Sequence, residues 1–536
     1  MDETEDSSSL KKHLALILSD TKSLDESEIS GTPVFTESVR QHGNHSSGST
    51  ENTFTQYGLL AGDVAKLEAK NNCQDAAAVD DDPRLFYNIK APSSVFICGS
   101  QGSGKSHTLS CLLENCLIPS DANTLPRPLT GVVFHFDPFF SDARGEPCEA
   151  AYISSHEDVE VRVLCPPTNV TQIQKLYKAL PNVKVEELRI SQKDLNTKRM
   201  LDLMAVSSVG GGGMPLYLHI VTRILRELRI EQQQKGGYFD YSAFRRAIQA
   251  EELTPGQKAP LEQRLDTLES FMAKEDVKKS KSQYNYGYYK PKTKTSLREQ
   301  KSTATGWEPK AGQLTIVDLS CPCVTAESAC SLFNICLNLF LEQPSEDIGR
   351  IIALDEAHKY MTESAECQTL TESLLSTIRL QRHLGTRIVI ATQEPTISPK
   401  LLDLCTVTLV HRFTSPNWLV SLRKHLAAAT AGRKNETEGQ GELGGSGAED
   451  MTELLDRIVA LRQGEALMFC PSAIIGVKKL SSDGLVEGFA NWSLEQKRSA
   501  ASPDHEHGLV RLGQGIMKIR VRDRITQDGG KSVMAG

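Results

Sequence analysis

A long apolar run is missing from these 536 residues, and with it the sequence signal for a membrane-spanning helix. The opening stretch, MDETEDSSS, carries neither the basic nor the apolar region of a secretory leader. An intracellular protein, cytoplasmic or nuclear and without a membrane partner, is therefore expected. Cysteine pairing is missing as well. Thirteen cysteines make an odd count with no framework spacing, which reads as reduced thiols. Cys321 and Cys323, followed by Cys330 and Cys336, lack the matched second pair of a structural zinc site, and the last two fall in a stretch that reads as a buried helix. Charge of one sign is scarce outside a single segment. The formal net charge is −8, but 16 acidic and 6 basic residues fall within 1–82, leaving 54 basic against 52 acidic in the rest. That acidic segment is rich in Ser, Thr, Asn and Gln, a composition that buries too little surface to offset ordering entropy. Residues 1–82 are accordingly expected to be a largely disordered tail, with one short helix near LKKHLALIL.

What is present begins at Pro83, where 39% hydrophobic and 24% charged residues over the whole chain fit a globular protein with a large core. The apolar run Val95 to Cys98 leads into GSQGSGKS, which fits the spacing GxxxxGK[ST] with Gly99, Gly104, Lys105 and Ser106 in the fixed places. Such a loop turns successive backbone N–H groups onto phosphates, and the helix that follows presents its positive end. The candidate cradle is Gly99, Ser100, Gln101, Gly102, Ser103, Gly104, Lys105, Ser106 and His107. Lys105 would reach the β- and γ-phosphates and Ser106 would ligate Mg²⁺, so ATP and Mg²⁺ are the expected ligands. Leu109, Leu112, Leu113 and Cys116 give the following helix its apolar face before Pro119.

Further strands are expected at Gly131 to Asp137, Val159 to Pro167, Gln313 to Ser320, Arg350 to Glu356, Arg387 to Gln393 and Val407 to Phe413. Their continuous apolar runs suit a parallel sheet buried on both faces. Helical periodicity from Asp194, a candidate N-cap, to Met272 predicts a helical insertion at about 190–275. Lys278 to Lys301 holds eight Lys or Arg, one acid and four tyrosines, and it reads first as a solvated linker and second as a nucleic-acid contact. Gly432 to Asp450 reads as a surface loop.

Hydrolysis needs a carboxylate for the metal and a group to polarise water. IIALDEAH supplies both at the carboxyl end of a strand: Asp355 for Mg²⁺ and Glu356 for the attacking water. The next strand ends at Gln393, a candidate γ-phosphate sensor. Thr369 and Glu372 form a possible-by-spacing capping box for the intervening helix, near whose end Arg379 and Arg382 fall three apart, on one face.

Taken together, GSQGSGKS, LTIVDLS, LDEAHKY, IRLQRHLGTRIVIATQEP and VTLVHRF, in order from about residue 85 to 480, resemble the HerA/FtsK superfamily of ring-forming P-loop ATPases, HerA-like members above all. The resemblance implies an α/β fold with a RecA-like (ASCE) P-loop NTPase core, a mostly parallel sheet and a large helical insertion. It also implies a homo-oligomer, a hexamer, that translocates double-stranded DNA. Carried over by position, Lys105 and Ser106 are the phosphate and metal residues, Asp355 and Glu356 the acid pair, Gln393 the sensor, and Arg382 the arginine finger, with Arg379 the alternative. The ATPase domain would span 83–490, and 491–536 would be a C-terminal extension that clasps a neighbouring subunit. An N-terminal β-barrel is not expected, because 1–82 is unpatterned. Two other readings compete. The near-neutral body suits a ring acting on protein, or a nucleotide-gated scaffold. A DEAH-type helicase would need a second domain with a QRxGRxGR motif, which is missing after Gln393.

Overall fold

The structure is a computed structural model, and it describes residues 21–46, 52–72, 82–141, 145–204, 216–273, 304–344, 347–394, 397–425, 446–479 and 507–529. The chain forms two compact units: Met1–Pro128, Gln381–Ile388 and Leu402–Ile525 in the first, Leu129–Leu380, Val389–Leu401 and Thr526–Gly536 in the second.

Strands are numbered in chain order. β1 (Val34–Thr36), β2 (Tyr57–Asp63), β3 (Arg84–Asn88), β4 (Ser94–Cys98) and β5 (Asn123–Thr124) belong to the first unit. β6 (Thr130–His135), β7 (Glu160–Cys165), β8 (Val183–Glu187), β9 (Gln313–Asp318) and β10 (Arg350–Leu354) belong to the second. The chain passes between units within β11 (Thr386–Thr392), and β12 (Val407–Val410), β13 (Glu465–Phe469), β14 (Ile474–Lys479), β15 (His507–Arg511) and β16 (Met517–Val521) return to the first.

In the second unit the strand order is β10-β6-β9-β7-β8, and every pairing is parallel. The sequence dictates this: TGVVFH, QLTIVD and RIIAL are buried at every position, as strands covered on both faces must be. One covering element is helix Ala326–Glu342, whose first turn is capped by the Thr325 hydroxyl accepting from Ser328 N–H, and which buries both Cys330 and Cys336. Between β8 and β9 lie helices Thr197–Met204, Leu216–Lys235, Tyr241–Ala250 and Pro255–Phe271. A parallel bridge between Ile190 and Met272 brings the two ends of this helical segment together. Asp194 does not cap the first of these helices. It closes a capping box with Ser191 on the short 3₁₀ turn Gln192–Asp194 instead, while Asn196 accepts from Arg199 N–H in the turn that leads into helix Thr197–Met204.

In the first unit the order is β15-β14-β1-β3-β2-β16-β13-β12-β4, with β5 beside β2. β4 and β12 pair in parallel, and most other pairs are antiparallel. One expectation needs correction here. Residues 1–82 are not an unpatterned tail throughout: helices Thr21–Gly31, Glu37–Ser46 and Val64–Asn72 and strands β1 and β2 form within them. Ile29, Phe35, Val39 and Phe54 build a core cluster with Phe86 and Ile474, and the Phe35 and Phe54 rings stack at 3.8 Å. The segment's apolar residues are few, but their partners lie far along the chain, Phe35 opposite Ile474 and Ala61 opposite Val521, so no local window reveals them. The C-terminal segment, in turn, packs on its own chain. β16 pairs with β13 and β2, and Arg522 beyond it is buried in the first unit.

Of the low-complexity stretches, 278–301 lies outside the described residues, as does LKKHLALIL. So does most of 432–450, although helix Ser446–Val459 begins inside its end. No helix among the described residues is long and apolar enough to cross a membrane.

Candidate functional site

The Gly-rich loop follows β4, all five residues of which are buried, and opens helix Lys105–Leu117. Gly99 has φ +154°, and a Cβ there would meet the Cβ of His411 at 2.7 Å. Gly104, at φ +111°, is the helix N-cap. Both positions therefore require glycine, one for close approach and one for left-handed backbone. The loop is held by its own bonds: Ser103 Oγ donates to Ser100 O at 2.7 Å, and Ser100 donates through N and Oγ to Arg412 O, both at 2.9 Å. Lys105 is buried at 4% exposure, and its Nζ donates to Ser100 O at 3.0 Å. The side chain thus folds back over the loop it follows, the direction a phosphate-binding lysine takes. Ser106 is half-buried at the first turn. The His107 ring is engaged elsewhere, Nε2 lying 2.8 Å from Arg522 O, which leaves its backbone N–H for the cradle.

Under the loop lies a residue that sequence reasoning missed. His411 follows β12, whose register against β4 sets Val410 level with Cys98. The next residue is thereby placed against Gly99. Its Nδ1 is 2.9 Å from Glu465 O and its Nε2 2.9 Å from Thr108 Oγ1. Burial above all, aided by Lys105 and His107 and opposed by the hydrogen bond to Glu465, pulls this imidazole down to about 4, so the ring is neutral. A neutral ring donating from Nδ1 accepts at Nε2, which matches Thr108 as the donor.

The acid pair belongs to the second unit. β10 and β6 are parallel with Leu354 level with Phe134, so Asp355 and His135 emerge side by side at the carboxyl ends of their strands. Asp355 is 2% exposed, and its Oδ2 lies 3.1 Å from His135 Nδ1 and 3.6 Å from Cys148 Sγ. Its Oδ1 is buried with no hydrogen-bond partner. Burial works to raise the pKa of Asp355, yet the bond and charge of His135, with Lys359 beyond, hold it below the ordinary value. Cys148 is fixed in turn by its N–H donating at 2.9 Å to Tyr177 OH, which donates at 2.7 Å to Asp318 Oδ2.

Glu356 has φ +48° and ψ +44°, left-handed backbone that a residue with a Cβ adopts at a cost. Its Oε2 accepts from Gln393 Nε2 at 3.0 Å, and Gln393 N–H donates to His358 Nδ1 at 3.3 Å. The structure thus brings Glu356 and Gln393, 37 residues apart, into direct contact. The two arginines are arranged differently from the expectation. Helix Ala365–Arg379 starts at the Ser364 cap, not at Thr369, whose hydroxyl bonds back to Ala365 O. It ends at Arg379, and Arg382 sits in the separate helix Gln381–Leu384, because the Leu380 backbone leaves helical geometry. The two are not on one helical face, and both are exposed.

A strand, a Gly-rich loop with its lysine and serine, a helix, and parallel strands ending in an acid pair define the class: an α/β fold of the P-loop NTPase type. No family model matches the chain, and no curated protein does. Solved structures do. VirB4 of Thermoanaerobacter pseudethanolicus is 12% identical, with 73% of this chain and 91% of that chain covered and a TM-score of 0.36. The plasmid coupling protein TrwB, in complex with the ATP analogue ADPNP, is 12% identical over 90% of this chain and 98% of that chain, with a TM-score of 0.40. Its complex with ADP and Mg²⁺ gives 12%, 90%, 98% and 0.39.

Proposed function

We propose that this chain is an ATPase that binds ATP with Mg²⁺ and couples hydrolysis to movement of double-stranded DNA, working as a HerA-like homo-oligomeric ring. The observation that carries the reading is Glu356, a carboxylate kept in left-handed backbone and hydrogen-bonded to Gln393 at 3.0 Å. A strained acid tied to a polar sensor is the pair that water activation beside a γ-phosphate calls for.

The roles follow from the chemistry of each side chain. The loop from Gly99 to Ser106 holds the phosphates through backbone N–H groups, and Lys105 neutralises the β- and γ-phosphate oxygens. Ser106 Oγ and Asp355 would hold the cation; the unpartnered, buried Asp355 Oδ1 fits a hydrated Mg²⁺. Mg²⁺ supplies charge neutralisation of the phosphate oxygens when bound. Glu356 takes the proton of the attacking water, and Gln393 holds Glu356 and orients that water. Arg382, exposed on its short helix, is the residue offered to a neighbouring subunit's γ-phosphate, with Arg379 as the alternative.

The test is steady-state ATP hydrolysis by the wild type and Glu356→Gln, with and without linear duplex DNA, at low and high salt. Stimulation by DNA that fades with salt and disappears in the variant is the expected result. Hydrolysis indifferent to DNA would favour the second reading, a ring acting on protein, which the balance of 54 basic to 52 acidic residues outside 1–82 supports. Wild-type turnover equal to that of Glu356→Gln would remove Glu356 from the chemistry.

A further inference from the structure

Asp355 is braced by a histidine and a cysteine, and that combination has a chemistry of its own. His135, Cys148 and Asp355 each offer one ligand atom within 4.8 Å of the other two, and all three residues are buried. A tetrahedral cation bound by nitrogen, sulfur and oxygen at ordinary zinc bond lengths sets its N···O edge at about 3.4 Å and its S···O edge at about 3.6 Å. The corresponding separations here are 3.1 Å and 3.6 Å. Little movement is needed to admit an ion.

We propose that His135, Cys148 and Asp355 form a binding site for a thiophilic divalent cation of the zinc class, whose occupancy competes with magnesium-dependent hydrolysis. Three independent elements deliver the ligands: the end of β6, the residue after β10, and the residue that opens the 3₁₀ turn Glu149–Ser155. Pairing of β6 with β10 fixes the first two, and the Tyr177 bond to Cys148 N–H fixes the third, so the donor set is held before any ion arrives. Binding expels the Cys148 thiol proton to solvent; a charged His135 also loses its Nδ1 proton, and a neutral one exchanges it through solvent for a proton on Nε2, leaving thiolate, neutral imidazole and carboxylate. Magnesium, a hard cation that prefers oxygen, has no comparable use for the sulfur. A soft cation on Oδ2 draws electron density from the carboxylate whose Oδ1 would face Mg²⁺. Changes of this kind in the shell behind a metal ligand shift metal affinity by about 10- to 100-fold.

The site itself stands on these three side chains, and the competition rests on the reading of Asp355 as a magnesium carboxylate. The test uses the full chain, stripped with chelator and titrated with Co²⁺ alone, without nucleotide. One equivalent giving a tetrahedral, thiolate-ligated spectrum is expected. The thiolate band should vanish in Cys148→Ser and the bound equivalent should weaken in His135→Gln, while Cys323→Ser, which alters an exposed cysteine, leaves both intact. A spectrum without thiolate ligation, or a thiolate band that survives in Cys148→Ser, overturns the proposal. In a second arm, one equivalent of Zn²⁺ should raise the Mg²⁺ concentration for half-maximal hydrolysis about tenfold or more in the wild type and leave Cys148→Ser unchanged. A cobalt site with no effect on the Mg²⁺ requirement overturns the competition but not the site. A cobalt site in a protein that hydrolyses nothing upholds the site and overturns the ATPase reading.

Discussion

Glu356 carries a backbone cost. Apart from Asn182, it is the only non-glycine residue with positive φ among the described residues. Left-handed backbone at such a position costs about 1–3 kcal/mol, which glycine would relieve at the expense of roughly 0.5–1 kcal/mol of unfolded-state entropy. Glu356→Gly is therefore expected to be more stable than the wild type by about 1 kcal/mol and inactive, whereas Glu356→Ala, which keeps the Cβ, gains nothing from the backbone. Chemical denaturation of the three proteins checks this, and a glycine variant no more stable than the alanine one removes the strain argument. Sequence alone could place Glu356 after the acidic partner of a strand end, because LDEAH is local. It could not supply the backbone conformation, since nothing about a glutamate announces φ +48°. The same division runs through the rest of the site. Lys105, Ser106, Asp355 and Gln393 stand out in sequence by motif and strand end, while His411 comes to Gly99, and His135 and Cys148 to Asp355, through strand register or a loop return, which spacing does not encode.

Among the elements, β16 and the residues after it hold the helix that the cradle opens. Arg522 donates to Leu59 O, Cys111 O, Asn115 Oδ1, Asp523 O and, at 2.7 Å, Glu114 Oε2, so every guanidinium direction is used. Glu114, fully buried, sits on helix Lys105–Leu117, the helix that the cradle opens. Removing one member of a buried ion pair strands the other, at about 3–5 kcal/mol. Arg522→Ala should lose stability near the lower end of that range, because Arg524 Nε remains 3.9 Å from Glu114, and urea unfolding measures it. A loss below 1 kcal/mol would show that the latch is dispensable. Glu465, on β13 beside β16, extends the brace with a defined pH dependence. Burial works to raise its pKa, but Arg462 N–H, Arg520 and Lys518 bind the carboxylate and hold it down at about 2. A carboxylate depressed in the folded state contributes stability that is complete above its unfolded value, about 4.3, and lost as the pH falls toward 2. Glu465→Gln should flatten the decline in stability across that window, and an unchanged slope would mean that other carboxylates set it. Neither contact was legible beforehand, because a strand that pairs with a partner more than 400 residues away leaves no local signature in the sequence.

At the scale of the whole molecule, the sequence conveyed the buried parallel strands better than the extent of the fold. Four strands of the second unit, β6, β7, β9 and β10, were visible as Val, Ile and Leu runs, since burial removes polar residues, whereas β8, with the sequence VKVEE and no buried position, was not. β1 and β2 were not, because a three-residue strand and one with alternating burial leave little compositional trace. The proposed ring calls for an arginine that stabilises charge on the transferred phosphate. Arg379 and Arg382 are both exposed, and the break at Leu380 sends their side chains from different helices, so they are not interchangeable. If Arg382 serves a neighbour's site, Arg382→Ala should lower turnover by about 10³-fold with ATP binding intact. Such a loss alone would not separate a role in trans from a local one. Mixing does: Arg382→Ala subunits retain Glu356, Glu356→Gln subunits retain Arg382, and only a site composed across two subunits can recover activity from two inactive proteins. Turnover that rises with the mixing ratio and peaks between the pure variants is the expected outcome. A flat response, with Arg379→Ala restoring the peak pattern in its place, would move the finger to the end of helix Ala365–Arg379.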